Sequence, residues 1–587
     1  LSSINAAGSI TQQVHDAVGN LIRETDPNNN PASLHTPDAL NRLVQTIDRL
    51  GGTTGYSYDL NDRVKTVSSP NGATTQYAYD DLGNLLSETS PDRYGTVYGY
   101  DPAGNLIQQT DARGVVANYA YDALNRLTVI DYPGTAEDAS FVYDTGTACG
   151  AGIGRLCSQT DGSGVAVYAY DAFGNVIAQS RTVDSTVIGF QYGYDAANRI
   201  QTITYPDGSF LTYTRDAVGR TSGIDRTAGG ATTALLSGRQ YRADGLVKTQ
   251  IFGNGLTDTR QYDLQGRLTH AAVGTVEVRD YTTYDANGNL KLFSATAANG
   301  TYGYDPLDRL LTESGGASHS FGYDANGNRN NDNGTLYIYA ASSNRLSSVG
   351  GVSVVLDPAG NTLADNTGRG FTYNNVGALA TASLNGVLKA SYVYDAQRHR
   401  TQKILPNGAT TLYHYSPAGE LLAETDAQGR LLQTYVLADG EPVALVSSDQ
   451  DNDGVPDSGD NCINASNSDQ RDTNGDGYGN MCDADFNNTG TTNTLDLNLL
   501  KAAYGSITGN SNYNPDIDLN GDGKINTLDL NRFKLLYGKP PGPSGVNGQA
   551  GPPTVVYLHT DHLGTPRVGT NESGIVTWRW EGEAFGN

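Results

Sequence analysis

The chain has 587 residues, a net charge of −25 and 37% hydrophobic residues, and its 37 tyrosines outnumber its 11 phenylalanines. So acidic a chain without a basic patch is a poor nucleic-acid binder, and no apolar run reaches membrane-spanning length. Length alone suggests about four ordinary domains, but an internal repeat overrides that count.

The repeat is visible from the start, where Thr11 to Arg23 already contains HDAVGNLIR. Tyr77 to Leu85 reads YAYDDLGNL, Tyr98 to Leu106 reads YGYDPAGNL and Tyr119 to Leu127 reads YAYDALNRL, so Asp80, Asp101 and Asp122 recur every 21 residues. The phrase returns at Tyr168, Tyr192, Tyr302 and Phe321. Tyr-x-Tyr places two aromatics on one strand face. Asp then opens a turn, Gly-Asn or Asn-Arg supplies the positive φ of a tight hairpin, and Leu or Ile restarts the next strand. Each unit is thus expected to be a two-strand hairpin that must pair with its neighbours to be stable.

The pattern runs to YVLADGEPVALV, ending at Val446, and resumes at Thr554. Between them, residues 449–529 hold 15 Asp, no Glu, and only Arg471, Lys501 and Lys524 as cations. Such a density of like charge calls for a counter-ion. Four twelve-residue loops have acids at calcium-ligand spacing, each with a glycine where the loop turns sharply. The first contains Asp449, Asp451, Asp453 and Asp460, with Asp457 as a further acid, and the second Asp472, Asn474, Asp476 and Asp483. The third contains Asp485, Asn487, Thr489, Asn493 and Asp496, and the fourth Asp518, Asn520, Asp522, Asn526 and Asp529. Thr489 is neutral, so the third loop is expected to bind most weakly. About four Ca²⁺ ions or more are expected, one per loop. The four cysteines allow three pairings, and proximity favours Cys149 with Cys157 and Cys462 with Cys482, as disulfides outside the cytosol.

These units resemble the YD repeats of the RHS family, and YLHTDHLGTPR (Tyr557–Arg567) with WRWEGEAFGN (Trp578–Asn587) resembles the RHS-associated core signature. The resemblance covers roughly residues 1–448 and 554–587. It implies an all-β spiral of hairpins forming a large shell or tube that can enclose a hollow. Toxin-bearing relatives continue into a self-cleaving segment and a toxin, and neither is found here. Residues 449–483 resemble paired thrombospondin type 3 repeats. Residues 484–538 resemble a type I dockerin, an EF-hand-like helical insertion in which NTLDLNLLKAAYG is matched 33 residues later by NTLDLNRFKLLYG. The dockerin resemblance implies a cohesin-like partner recognised through Thr494, Leu495, Thr527 and Leu528. Leu497, Leu500 and Tyr504 are expected on one face of the first helix, and Leu530, Phe533 and Tyr537 on one face of the second. Lys539 to Pro553 reads as an extended Pro/Gly linker.

No Walker loop, nucleophile elbow or His-Glu-x-x-His helix occurs. His559, Asp561 and His562 lie in the core signature, and His399 and His414 stand isolated. The segment LSSINAAGSI lacks the features of a signal peptide, and both chain ends look internal to something longer. The expectation is a secreted, non-enzymatic, calcium-binding structural protein of the cell exterior that self-associates, in a filament joined through open sheet ends. A shell for an absent toxin cargo and a scaffold recruiting a cohesin-bearing partner are the alternatives.

Overall fold

The computed structural model of the protein describes residues 1–146, 148–315 and 318–580. The Glu581–Asn587 end of the core signature lies outside the described residues. The described residues form 47 strands and two short α-helices, and consecutive strands pair antiparallel from Ser2 to Ser353 and again from Val355 to Arg579. The all-β expectation holds.

The repeat phrase folds as its chemistry dictates. The Asp80 carboxylate accepts the backbone N–H of Asn84 (2.8 Å) and its side-chain amide (2.8 Å), while the Gly83 N–H returns to the Asp80 carbonyl (3.2 Å). Arginine replaces asparagine in other units: the Arg199 backbone N–H and its Nε bind Asp195, and these contacts hold that carboxyl at about 2. Gly83 has φ 94°, Asn125 φ 59° and Asp308 φ 62°, so the fourth residue of these turns is left-handed, a conformation that glycine, asparagine and aspartate take most easily and that Arg398 (φ 67°) also adopts.

The tyrosines have a second function that phenylalanine cannot perform. The Tyr-Asp turns carry a register shift: Ala120 faces Val129 and Tyr121 faces Leu127, so the ladder is interrupted at Thr128, just after the strand restart. The Tyr121 hydroxyl donates to the carbonyl of Leu106, the restart residue of the preceding unit (2.9 Å), and Tyr194, Tyr262, Tyr284 and Tyr304 repeat the bond. Each unit is therefore tied to the one before it. Arginines close the other side: Arg126 stacks 4.5 Å over Tyr143 and Arg267 4.3 Å over Tyr284. Tyr121→Phe is expected to cost about 1 kcal/mol, read as a lower urea midpoint with unchanged slope. The first tyrosine of the pair is less uniform. The buried hydroxyl of Tyr192 finds no protein partner, nor does that of Tyr205, which stands outside the pairs.

The ribbon closes on itself after about 257 residues, or about twelve 21-residue units. Asn28 bonds Asp285 (3.0 Å), Arg49 pairs with Asp308 (3.2 Å), Asp92 accepts from Asn344 (2.8 Å) and Arg113 donates to the Asn374 carbonyl (2.7 Å). Before the insertion, later contacts span fewer residues: Gln159 to Gln397 is 238 apart and Arg239 to Glu441 is 202. The second turn thus tightens and packs against the first. The main core lies there, uniting Ile188, Phe190, Ile224 and Phe252 of the first turn with Leu412, Val436, Val446 and Tyr557 of the second. Phe252 packs edge-on against His559 at 4.6 Å. Before Ala139 only Ala73 and Ala117 are buried apolar residues, so the early hairpins rely on backbone ladders and turn bonds.

One ionic knot joins the layers. Glu441 receives Arg239 (3.0 Å), Arg260 (2.5 Å) and the Thr560 hydroxyl (2.7 Å). Burial pushes its pKa up, but Arg260 and Arg239 outweigh burial and hold it below the usual carboxylate range.

Candidate metal centre

The inserted segment leaves and rejoins the sheet between adjacent strands, Glu441–Ser447 and Thr554–Thr560, with Ser447 facing Thr554. It replaces one hairpin loop, so it adds a module without breaking the ladder.

In the first loop, oxygens of Asp449, Asp451 and Asp453 lie within 4.8 Å of one another. The Gly454 N–H donates to Asp449 (2.9 Å), which sets the sharp turn. Burial, then the charge of Asp453, pushes Asp451 up to about 7, and burial pushes Asp449 up to about 6. Asp460 is fully buried and its pKa is raised by burial. Asp451 Oδ2 and Asp460 Oδ2 are buried without a hydrogen-bond partner. A buried carboxylate oxygen left bare among other carboxylates is the signature of a cation's place. These residues fit calcium, a hard ion bound by oxygen. Asp457 is also buried, but it caps the Gln450 N–H (2.8 Å).

The other loops repeat the turn. Gly477 N–H donates to Asp472 (2.9 Å) and Gly523 N–H to Asp518 (2.9 Å); Gly490 N–H donates to Asp485. Asp485, Asp496, Asp518 and Asp529 are buried, as is Asp483, which burial pushes up to about 7. Asn474, Asp476, Thr489 and Asp522 are exposed, and Asn487, Asn493, Asn520 and Asn526 are half-buried. Asn487 Oδ1 is a further buried oxygen without a partner. Among the described residues, only the first loop has its acids gathered closely enough to form a ready cluster.

Two helices, α1 (Thr494–Ala503) and α2 (Thr527–Leu536), follow the last two loops. Each opens on a capping box, Asn493 with Asp496 and Asn526 with Asp529. The acid that ends each loop is therefore held by the helix it starts. Leu500, Phe533, Ile517 and Ile525 form a separate small core, with Leu497 and Leu530 packed against it. Tyr504 and Tyr537 lie past the helix ends rather than on the apolar face. There they cross-bond the opposite helix start, Tyr537 with Thr494 (2.9 Å) and Tyr504 with Thr527 (2.9 Å). The Tyr537 ring also lies against Phe533, with centroids 5.9 Å apart. Leu495 and Leu528 are 61% and 57% exposed, on a surface related by this internal symmetry.

Residues 539–553 are not a free spacer. Ser544 is fully buried and donates to the Gly477 carbonyl (2.6 Å), and the Gly545 N–H donates to the Asp460 carbonyl (2.7 Å). The return segment lies along the first two loops because their backbone carbonyls need donors. Both expected disulfides form, with Cα separations of 5.3 Å for Cys149–Cys157 and 5.6 Å for Cys462–Cys482. Sequence reasoning missed two joints between the first and second halves of the insertion: Asn480 donates to the Pro515 carbonyl (2.9 Å), and Arg532 donates to the Met481 carbonyl (2.6 Å).

The histidines belong to the shell. Asp561 accepts from the Leu563 and Thr565 N–H groups (2.9 and 3.0 Å), as in any repeat turn. His399 occupies the arginine position of such a turn beside Asp395 (3.2 Å) and stacks on Tyr415, so it is not isolated. His414 and His559 are buried beside Thr425 and Thr570 (2.9 and 2.8 Å), and burial lowers their pKa to about 3 and about 4. A histidine kept neutral in the fold charges first in the unfolded chain. Stability is thus expected to fall as pH drops from 6.5 towards 4, by about 1.4 kcal/mol per pH unit for each group. Urea midpoints across that range measure the loss, and His414→Gln should lessen its slope.

The comparisons agree with this anatomy. The Teneurin YD-shell family model matches residues 293–435, the RHS Repeat model matches four overlapping or adjacent stretches between 15 and 137, and the RHS protein model matches 555–587. The Dockerin type I domain model matches 483–534. No curated protein matches the chain. Among solved structures, the TcdB2-TccC3 crystal structure aligns over 99% of this chain and 31% of its own, at 15% identity and a TM-score of 0.68. The same complex without its hypervariable C-terminal region gives 99%, 30%, 15% and 0.68, and a variant of the Photorhabdus luminescens Tc holotoxin pore gives 99%, 30%, 15% and 0.67. The chain therefore spans under a third of the length of these structures, and the likeness establishes the fold. No helix among the described residues is long and apolar enough to cross a membrane. The repeat, shell and core matches along the strands support an RHS/YD-repeat protein, with residues 483–534 similar to type I dockerins.

Proposed function

We propose that the chain is a non-enzymatic structural shell of the cell exterior whose inserted module binds calcium. The bare buried oxygens of Asp451 and Asp460 carry this reading. One ion per loop gives about four, with Asp449, Asp451, Asp453 and Asp460 holding the first. Residues 449–483 then act as a thrombospondin type 3-like pair and 484–538 as a dockerin-like pair. Thr494, Leu495, Thr527 and Leu528 offer a cohesin-like protein two equivalent faces. Two disulfides suit an oxidising exterior. Calorimetric titration of the metal-free protein with calcium tests the reading: about four ions should bind, and Asp460→Asn should remove one of them. Absence of any binding at millimolar calcium would sink it. The fold likeness to TcdB2-TccC3 favours a second reading, a carrier shell, which density for a guest inside purified particles would support.

A further inference from the structure

The hairpin corners fall on two rims. Tyr-Asp corners line one rim and the alternate corners line the other. Within the chain the turns meet rim to opposite rim. The alternate corner at Arg49 donates to the Pro306 carbonyl (3.1 Å), and that at Arg113 donates to the Asn374 and Asn375 carbonyls (2.7 Å each). Asn375 in turn donates to the Pro133 carbonyl and to Glu137 (2.9 Å each). The apolar residue two places after the corner Asp or Asn is half-buried where such a contact forms, at Leu307 and Val376, and 77% exposed at Leu563 in the last such corner.

The first turn repeats these corners with nothing upon them. Leu40, Leu82, Leu124 and Phe173 occupy the same position and are 66%, 79%, 71% and 79% exposed. Four large apolar tips on one rim, 42, 42 and 49 residues apart, mark that rim as a docking surface. The second turn leaves its own alternate rim open at Asn333–Gly334, Gly350–Gly351 and Asn385–Gly386, while further along the inserted module lies upon it, where Asn407 donates to the Ser468 hydroxyl (2.8 Å).

We propose that the Tyr-Asp rim of the first turn docks the alternate rim of a second copy of this chain, continuing between molecules the contact that the two turns make within one. A second copy is the occupant because the same two kinds of corner already meet between the turns, at Arg49 with Pro306 and at Arg113 with Asn374. The contact is head to tail and does not close, so it extends into a stack. It rests on the shell and not on calcium.

Sedimentation velocity and electron microscopy of the full chain, from about 1 to 100 μM with calcium or with chelator, test this. Stacks that lengthen with concentration in both conditions are expected. The Leu82→Lys/Leu124→Lys double variant changes only exposed tips, so it should keep the wild-type unfolding midpoint and fail to stack. Added to wild type, it should shorten stacks by occupying one end. A chain that is monomeric throughout, dimers that never lengthen, or stacks indifferent to the lysines would each overturn the proposal. Stacks that ignore the lysines but dissolve in chelator would assign assembly to the module and leave the calcium reading intact.

Discussion

Removal of calcium is expected to open residues 449–538 while the β-ribbon stays folded. The segment 449–529 carries 15 Asp against three cations, and several of those acids are buried. Its apolar core is confined to a few residues around Leu500 and Phe533, too little to offset that repulsion alone. An ion at a free concentration 1,000 times its Kd stabilises the folded form by about 4 kcal/mol per site. Limited proteolysis with and without chelator measures the difference. Cuts should appear between 449 and 538 only in chelator, with fragments cut between Cys462 and Cys482 still joined until reduced. Equal protection in both conditions would refute the metal-bound module.

Glu441→Ala is expected to be the most damaging single change in the shell. It strips Arg239 and Arg260 of a shared counter-charge where the second turn packs against the first. Arg239 is 4% exposed, and its Nε and Nη1 already have no partner. Removing one member of a buried ionic group costs about 3–5 kcal/mol, because the other charge is left behind. Arg260 retains Asp258 (2.7 Å), so the loss should centre on Arg239. Replacing Glu441 and Arg239 together by leucine and methionine should recover much of it. Equilibrium unfolding of the three proteins decides this.

The local architecture was legible in the sequence because its causes are local. A Tyr-Asp turn needs only its own carboxylate and a residue tolerant of positive φ. The dockerin duplication is printed twice in the chain, and the cysteine pairs are neighbours. What was hidden depends on distance. No repeat position announces that Asn28 will meet Asp285, since that contact uses single polar corners 257 residues apart. The core between the turns was hidden too, because Leu412 and Val436 look like any strand residue until the first turn packs against them. The return segment misled by composition: glycine and proline there supply close approach, as where Ser544 and Gly545 lie against the first two loops. At the candidate site, ligand spacing was legible, but not the crossing of Tyr504 and Tyr537 to the opposite helix starts, which symmetry creates only after folding.

The pairing of Ser447 with Thr554 also fixes how the molecule would respond to force. A partner pulling on the module draws two neighbouring strands in the same direction, along their own axes. Those strands do not peel from each other. They slide against the flanking strands Leu431–Ala438 and Pro566–Thr570, whose hydrogen bonds run across the pull and must yield many at a time. The tether enters the wall in shear, the geometry in which a sheet resists tension best.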